Sequence, residues 1–455
     1  MKFLLLVLTA FLLAGCSGIP DKASSFAGVD AALAQRLEQK VIWRSNNQQD
    51  TEADTRIQAL LAQPLDADAA VQIALLNHRN LQAEYEELGI AQADLVQAGL
   101  LRNPVLSLSR LEGGGLTKRM LGVELDFLSL LLAAPQQRLQ SLQLEHTKLR
   151  VAQAVLRHAA ETRKAWVEAM AAKQKLKFVE QVDTLIQAET ELGKRQYSAG
   201  NLSRRDSLRQ QAFSAESALT LAQAKTSTQT TRENLKRWMG LLSAQDEWQL
   251  ALRLADRPAL PSREVLLTSG LQQRLDLQMA QKEQDVYDSA LTLTRDTRFI
   301  NVLDAGVERE SSSGEPGMTG PTLSLELPIF DQGQARVGKL EALLRQSQGR
   351  KMALTNEIST EISTAWLRAE TARQSVQHTH DVLMPLRRQI QHQSLLHYNG
   401  MLIGMNELLA DARERISAML GFIDASREYW LAEAELQLAV GGRLPVESAE
   451  KEKAK

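Results

Sequence analysis

The chain has 455 residues, and its 53 Lys and Arg against 55 Asp and Glu leave a formal net charge of -2. This near-neutral balance gives no basic face for nucleic-acid binding, so no nucleic-acid partner is expected. A single Cys excludes an internal disulfide and a cysteine-rich metal site. Only 4% of the residues are aromatic and 11 are Pro, a composition that favours long helices.

The first fifteen residues resemble a bacterial lipoprotein signal peptide. A charged start and the apolar run Phe3–Leu13 lead into Leu13-Ala14-Gly15-Cys16. The resemblance implies cleavage before Cys16 and acylation of its thiol, and Ser17 implies sorting to the outer membrane. An ordinary signal peptide followed by a chance cysteine is the alternative. No later run of 18 apolar residues occurs, so no membrane-spanning helix is predicted.

The rest of the sequence contains two copies of one pattern, at an offset of about 200 residues. Four motifs recur in the same order: Asn80-Leu81-Gln82 with Asp276-Leu277-Gln278, Val123-Glu124-Leu125 with Leu325-Glu326-Leu327, Ala165-Trp166 with Ala365-Trp366, and Tyr197 with Tyr398. The predicted organisation is a signal peptide at 1–15, an N-terminal segment at 16–65, a first structural repeat at 66–257, a second at 258–442 and a polar tail at 443–455.

Each repeat is predicted to begin with a helix and a β-hairpin. The first helix covers 66–100, with Asp66 or Asp68 as its N-cap. Period-two alternation around a Gly-rich turn then predicts a hairpin over 104–128. The same alternation returns in the second repeat and predicts a hairpin over 301–328.

Long helices are predicted after each hairpin. No proline lies between Pro135 and Pro258, and a helix over 136–196 would be roughly 90 Å long. A matching helix over 333–397 should be kinked by Pro385. Apolar residues recur at spacings of three, four and seven, which is typical of coiled coils. The fold class is therefore mainly α with a small β part: long antiparallel coiled-coil helices plus two β-hairpins, four strands in all.

A tight reversal ends the long helix of each repeat. The first reversal contains Tyr197 and Gly200, and the second contains Tyr398, where Met401 takes the place of Gly200. An acidic residue follows at equivalent positions, Asp206 in the first copy and Glu407 in the second. The glycines are alternatively plain helix C-caps, and the acids alternatively solvated surface or partners of the helix dipole.

Together, the signal, the two copies, one hairpin per copy, the very long helices and the Tyr-x-x-Gly reversal resemble the outer membrane efflux protein family, the TolC-like channels. The resemblance covers residues 66–442. It implies a homotrimer whose strands form one shared β-barrel in the outer membrane and whose helices form a hollow α-barrel in the periplasm. It also implies a lipid anchor, a periplasmic adaptor (membrane fusion) protein and an inner-membrane pump as partners.

The resemblance also assigns roles to the reversals, which it places at the periplasmic tip of the channel. The implied tip and gate residues are Tyr197, Gly200, Asp206, Tyr398, Gly400, Gly404 and Glu407. Independently of any family, four strands are too few to close a transmembrane barrel, so several copies are required. That the number is three rests on the resemblance.

No enzyme or cofactor signature occurs in the sequence, which lacks GxSxG, HExxH, Walker and GxGxxG motifs. Residues that suit copper or silver lie near one another in the sequence, but their helical spacing turns them apart, so no metal site is predicted. They are His378, His380, His392, His397, Met401 and Met405. The leading function is the exit duct of a tripartite efflux system for small molecules or metal ions. The alternatives are the outer-membrane component of a type I protein secretion system and a non-transporting structural lipoprotein, which the hairpins disfavour.

Overall fold

The computed structural model describes residues 22–44, 47–114, 116–242, 248–251 and 259–445. Helices make up 74% of the chain, and the strands form one small antiparallel sheet, so the predicted fold class is confirmed. Cys16 and the predicted signal peptide lie outside the described residues, as do Pro258 and most of the predicted tail.

The elements follow the two repeats in the sequence. The N-terminal segment contains two helices that were not predicted, α1 (Lys22–Ala34) and α2 (Asn47–Leu61). The first repeat contains α3 (Ala67–Asn77), α4 (Arg79–Gly99), β1 (Val105–Gly113), β2 (Leu116–Asp126), α5 (Phe127–Ser198) and α6 (Arg204–Met239). The second contains α7 (Arg263–Gln273), α8 (Leu275–Thr297), β3 (Leu303–Ser312), β4 (Met318–Leu325), α9 (Gln334–His378), a π-helical turn (Thr379–Leu383), α10 (Met384–Asn399) and α11 (Met405–Val440).

The helix predicted at the start of each repeat is in fact two helices. Asp66 is the N-cap as predicted, and its carboxylate accepts a backbone N–H bond of 2.7 Å. The helix then breaks at His78 in the first copy and at Arg274 in the second, both with extended backbone. Gly240 and Gly441, each in the left-handed region, pack on these breaks, and a Cβ added to them would lie 2.9 Å from the Cα of His78 and 3.2 Å from the Cα of Arg274. Packing from distant residues therefore accompanies both breaks.

The long helices confirm the prediction, with two differences at their prolines. Helix α5 has 72 residues and carries Pro135 in its interior, whereas Pro135 was expected to precede it. Asp126 allows the early start because its carboxylate accepts a backbone N–H of the first turn at 2.8 Å. In the second repeat the π-helical turn lies directly before Pro385, the predicted kink site, where proline removes a helical donor. None of the described helices has an apolar stretch sufficient to cross a membrane.

The paired long helices run antiparallel, and the two pairs lie side by side. Ser217 of α6 donates a hydrogen bond of 2.7 Å to Asp183 of α5 across the first pair. The guanidinium of Arg413 on α11 lies 3.7 Å from the ring centre of Phe213 on α6, which links equivalent positions of the two repeats. The reversals that begin α6 and α11 therefore lie at the same end of this helical layer.

The chain divides into two compact units, each of which contains segments from both repeats. Of the described residues, those within 22–32, 84–152 and 275–355 form the first unit, which holds the sheet. Those within 33–83, 153–274 and 356–445 form the second unit, which holds both reversals. In the second unit, Trp166 and Trp366 anchor the two copies in the same way, since each indole N–H donates a bond of 3.0 Å to a backbone carbonyl, of Leu65 and of Pro261 respectively.

The sheet has the strand order β1-β2-β3-β4, antiparallel throughout. The two hairpins are joined by β2 and β3, with Val123 opposite Val307 at the centre of the pairing. Both hairpins agree with the prediction, but the strands continue closer to their turns. Strand β2 begins at Leu116, where Lys118 and Arg119 interrupt the alternating pattern. The outer edges of β1 and β4 are left unpaired within the described chain.

Candidate functional site

One candidate functional region is the sheet, because its two faces differ in chemistry. The strand register places Leu108 opposite Leu121, and Val123 opposite both Leu106 and Val307. Over most of its length this face is apolar, and towards the turns it carries the charged residues Arg110, Glu112, Arg119 and Arg309. Its apolar members are Leu106, Leu108, Leu121, Val123, Leu125, Leu303, Ala305, Val307, Pro321, Leu323 and Leu325. Leu108 is 73% exposed and Leu323 is 72% exposed. Among the described residues of the unit no element covers this apolar surface, which is typical of an interaction or membrane surface.

The opposite face of the sheet is largely polar and carries a net acidic charge. Its polar members are Ser107, Ser109, Lys118, Glu124, Asp126, Asp304, Glu308, Glu310, Thr322 and Ser324, and Val105, Leu111, Leu116, Met120 and Met318 share the face. Lys118 forms an ion pair of 2.7 Å with Glu310, and Asp126 lies directly opposite Asp304. Five carboxylates thus face one lysine among the described residues of this face. Such a surface attracts cations.

A polar cavity of about 560 Å³ lies in the same unit, where the strand ends meet the helices. Several of its polar groups are paired with one another, and one of these contacts is an ion pair. Arg102 lies 3.2 Å from Asp126, Arg336 donates a bond of 2.9 Å to Asn301, and Asn301 donates one of 3.1 Å to Glu326. These contacts link the ends of the strands to the flanking segments and give the cavity a structural explanation.

The other candidate region consists of the two helix reversals, which share one backbone geometry. In the first, the N–H of Gly200 donates to the carbonyl of Tyr197 at 3.0 Å, and Gly200 has a φ of 79°. In the second, the N–H of Met401 donates to the carbonyl of Tyr398 at 3.0 Å, and Met401 has a φ of 57°. The departure from the Tyr-x-x-Gly pattern therefore leaves the turn unchanged. Gly400, with a φ of -80°, is not the left-handed residue.

The helices that leave the reversals begin differently. Ser203 caps α6, because its hydroxyl oxygen accepts the N–H of Asp206 at 3.1 Å and donates to the Asp206 carboxylate at 2.6 Å. Gly404 is the N-cap residue of α11 and has no side chain to cap the helix. Glu407 is exposed, and its backbone N–H lies 3.2 Å from the carbonyl of Gly404. Only the first copy therefore has a side-chain cap.

A hydrogen bond of 2.9 Å from the amide of Asn406 to the carboxylate of Asp206 brings the two reversals together. Bonds donated by Ser203 and Asn406 hold the pKa of Asp206 below its ordinary value. Asn406 was not predicted. By the repeat offset the counterpart of Asn406 is Arg205, while Glu407 corresponds to Asp206. The repeat therefore indicated Glu407, and not Asn406, as the residue of interest in the second reversal.

The remaining predicted tip residues make few contacts within one chain. Tyr197 is 45% exposed and Tyr398 is partly exposed, and neither hydroxyl has a hydrogen-bond partner in the described residues. Asp411, one turn after Glu407, accepts a hydrogen bond from Ser394 and so ties α11 to α10. The gating role of these residues stays a prediction.

The histidines near the second reversal do not converge. His380 lies 2.6 Å from the neighbouring Asp381. In the part of the chain that the structure describes, no three His, Cys, Asp or Glu side chains are grouped as metal ligands would be. We therefore assign no metal site here.

Two imidazoles, the buried His158 and the half-buried His78, lie against each other elsewhere in the second unit. The ring centres of His78 and His158 are 4.2 Å apart, and Nε2 of His158 donates to the carbonyl of Trp238 at 3.1 Å. Burial, followed by the charge of His78, lowers the pKa of His158 to about 4. Both rings are therefore neutral packing groups near pH 7.

Comparison with known proteins relates this architecture to channels. Over 333 residues the chain is 24% identical to the cobalt-zinc-cadmium resistance protein CzcC of Cupriavidus metallidurans, a match that covers 69% of this chain and 77% of CzcC. The CmeC outer membrane channel of Campylobacter jejuni is similar in structure, with a TM-score of 0.70, 15% identity, and coverage of 89% of this chain and 90% of CmeC. The MtrE outer membrane channel of Neisseria gonorrhoeae, in its open state, gives a TM-score of 0.67 and 16% identity, and covers 86% and 89%.

No protein-family model matches the chain. The structural similarity nevertheless extends over most of its length. The fold that the resemblance implied is confirmed: the chain has the fold of the TolC-like outer membrane efflux channels.

Proposed function

We propose that the protein is a passive outer-membrane channel, the exit duct of a tripartite efflux system. It receives small molecules or metal ions from a periplasmic adaptor and an inner-membrane pump and releases them outside the cell. The observation that carries this proposal is the sheet, which has one exposed apolar face, one acidic face and two unpaired edges.

The two faces of the sheet suit a wall between lipid and water. Strands of membrane barrels alternate apolar residues towards lipid with polar residues towards the lumen. An unpaired edge is not tolerated in lipid, and β1 and β4 each leave one. Sheets from several copies must therefore pair edge to edge. We propose three copies, which supply twelve strands from three four-stranded sheets, an even number within the range of known barrels.

The acidic face supports metal cations as one class of cargo. Carboxylate rings favour cations in channels. The relative CzcC is named for cobalt, zinc and cadmium resistance, which supports the same class for this chain. We assign no catalytic residue, because the proposed role is passive and the energy for transport comes from the pump.

Two other functions are compatible with parts of the fold. A type I secretion outlet has the same architecture and differs in its cargo and adaptor. A non-transporting lipoprotein spacer accounts for the helices but not for the exposed apolar face of the sheet. We favour the efflux duct because the acidic face and the similarity to CzcC both indicate small cations.

The lipid anchor is part of this proposal. Leu13-Ala14-Gly15-Cys16 supports acylation of Cys16, so Cys16→Ser should abolish labelling by a radioactive fatty acid. Label that persists in the variant would contradict the anchor without affecting the channel.

Neighbouring residues of β1 provide a matched test of the sheet. Leu108 lies on the apolar face and Ser109 on the polar face. Arginine at the lipid face of a barrel costs about 2–4 kcal/mol at mid-membrane, whereas the lumen face accepts it. Leu108→Arg should therefore sharply reduce the detergent-extracted trimer recovered from the outer membrane, and Ser109→Arg should leave it near the wild-type amount. Equal recovery of both variants would contradict a lipid-facing sheet.

A further inference from the structure

The two reversals, alike in backbone, differ strongly in charge. Residues 191–209 contain five basic side chains and two acidic ones, whereas residues 389–412 contain no Lys or Arg. The second stretch does carry two carboxylates, Glu407 and Asp411. Because the Asn406 to Asp206 hydrogen bond holds the reversals together, the basic first reversal and the second reversal form one continuous surface.

The basic part of this surface has two exposed arginines that form no salt bridge with a described residue. Lys194 and Arg195 lie near Glu191, and Arg209 lies 3.7 Å from Asp206. Arg204 and Arg205 are exposed and form no such ion pair, although the charge of Arg205 is one of the smaller causes that lower the pKa of Asp206. They are neighbours at the first turn of α6, at the end where the helix dipole is already positive.

The turn of the second reversal presents two exposed apolar side chains. Met401 is 94% exposed and Leu402 is 74% exposed. The left-handed turn that holds Met401 fixes this position directly beside the start of α11. Exposed Met is adaptable and is common on surfaces that bind helical partners.

We propose that Arg204, Arg205, Met401 and Leu402, here called the tip surface, bind an acidic amphipathic segment of a partner protein. Carboxylates of the partner pair with the two arginines, whose planar guanidinium groups match carboxylates well. An apolar side chain of the partner packs on Met401 and Leu402. The inference rests on the proposed function, because it specifies the chemistry of the periplasmic partner that the duct requires.

The experiment uses the full chain in detergent and three labelled helical peptides of the same apolar pattern. One peptide carries Glu on its polar face, the second carries Gln and the third carries Lys. Fluorescence anisotropy should show the Glu peptide binding at least about tenfold more tightly than the Gln peptide at low salt. This advantage should fall severalfold at about 0.3 M salt, because ions screen exposed charges.

Matched variants separate the two halves of the tip surface. Arg204→Gln with Arg205→Gln should remove the advantage of the Glu peptide, whereas Lys339→Gln with Arg345→Gln, an equal charge change at exposed positions of the other unit, should preserve it. Leu402→Gln should weaken the Glu and Gln peptides equally. Leu219→Gln, at a residue of α6 with 67% exposure, should weaken neither.

Three outcomes would overturn the proposal: equal affinity for all three peptides, an unchanged Glu advantage in the double Arg variant, or binding to phosphatidylglycerol vesicles with no peptide preference. Wild-type conductance in lipid bilayers distinguishes this failure from failure of the channel itself. A conducting protein without a Glu preference refutes the tip surface alone, and a Glu preference without conductance refutes the duct.

Discussion

The two repeats of the chain fold in the same way with different side chains. Gly200 and Met401 occupy the same left-handed turn position, and Ser203 and Gly404 begin equivalent helices. In the helical layer, His158 of the first repeat corresponds at the offset of 200 to Ile358, and both are buried. Duplication has therefore preserved backbone geometry, while capping, charge and core chemistry have diverged.

This difference shows which features the fold itself requires. The paired tryptophans, which both copies share, make the same structural contact. At other equivalent positions only one copy carries a titratable or strained group, as with His158 against Ile358 and Met401 against Gly200. Exchanging residues between equivalent positions therefore tests each feature against an internal control.

The largest effect is expected at His158. Its pKa falls from the ordinary 6.5 to about 4 on folding, so the unfolded chain binds more protons below pH 6.5. Stability should be constant above about pH 6.5 and should fall by up to about 3 kcal/mol as the pH drops towards 4. Denaturant unfolding between pH 4 and 8 measures this change.

The exchange His158→Ile, which installs the residue of the second copy, should reduce that pH dependence substantially. The pKa of His78 is also lowered by burial, then by Arg237, so a smaller slope of the same sign should remain. A full pH dependence in the Ile variant would show that other groups dominate acid sensitivity.

Substitutions at the two left-handed turn positions, Gly200 and Met401, should change the stability of the turns in opposite directions. A Cβ on Gly200 meets no atom within 4 Å, so Gly200→Ala changes only the backbone preference and should destabilise the turn by about 1 kcal/mol. Met401→Gly relieves the same strain, but the unfolded chain also becomes more flexible. We therefore expect the turn to be stabilised by only a few tenths of a kcal/mol. Hydrogen exchange of the Asn201 and Leu402 amides, which close the two turns, measures both. Losses of equal size in both variants would contradict a shared left-handed geometry.

Substitutions at the N-caps of α6 and α11 should change the stability of the first helical turns by somewhat less. Ser203→Ala removes the cap on the N–H of Asp206 and should weaken the first turn of α6 by about 1 kcal/mol. Gly404→Ser should stabilise the first turn of α11 by a few tenths of a kcal/mol. Amide exchange in the first turns is again the measurement, and no change on Ser203→Ala would mean that the Asn406 contact alone holds this helix start.

The gate residues should give the smallest energetic effect. The gating prediction requires that the Tyr398 hydroxyl and the Glu407 carboxylate hold neighbouring helices together, and exposed contacts of this kind are worth at most about 1 kcal/mol each. Repeated in three copies, they should still shift a closed–open balance. Tyr398→Phe with Glu407→Gln should raise the conductance of the isolated channel and leave the trimer intact. An unaltered conductance in an intact trimer would limit these residues to shaping the turn.

The parts of the fold that follow from local patterns were predictable. Alternation along the strands indicated both hairpins, and the long proline-free run indicated the helices. The start of β2 was missed because Lys118 and Arg119 lie there, and the pairing with β1 that makes this segment a strand is not visible locally. Helix α2 was missed because it is mostly polar and is held by contacts such as the 2.8 Å ion pair between Arg44 and Asp54.

Long-range contacts also explain why the two helix breaks and the contact between the reversals were not predicted. His78 and Arg274 have ordinary helical neighbours, and the glycines that pack on them lie more than 160 residues away. The contact between Asn406 and Asp206 joins residues 200 positions apart. The repeat identified equivalent backbone positions but carried no information about which side chains meet across the copies.

The central claim, a passive duct with an acidic lining, is tested most directly by single-channel recording in planar lipid bilayers. The purified full chain should give ohmic steps without any energy source, and a salt gradient should give a reversal potential that favours cations. Glu308→Gln, on the polar face, should reduce this preference. A correctly inserted trimer that conducts no ions, or that prefers anions, would contradict the account.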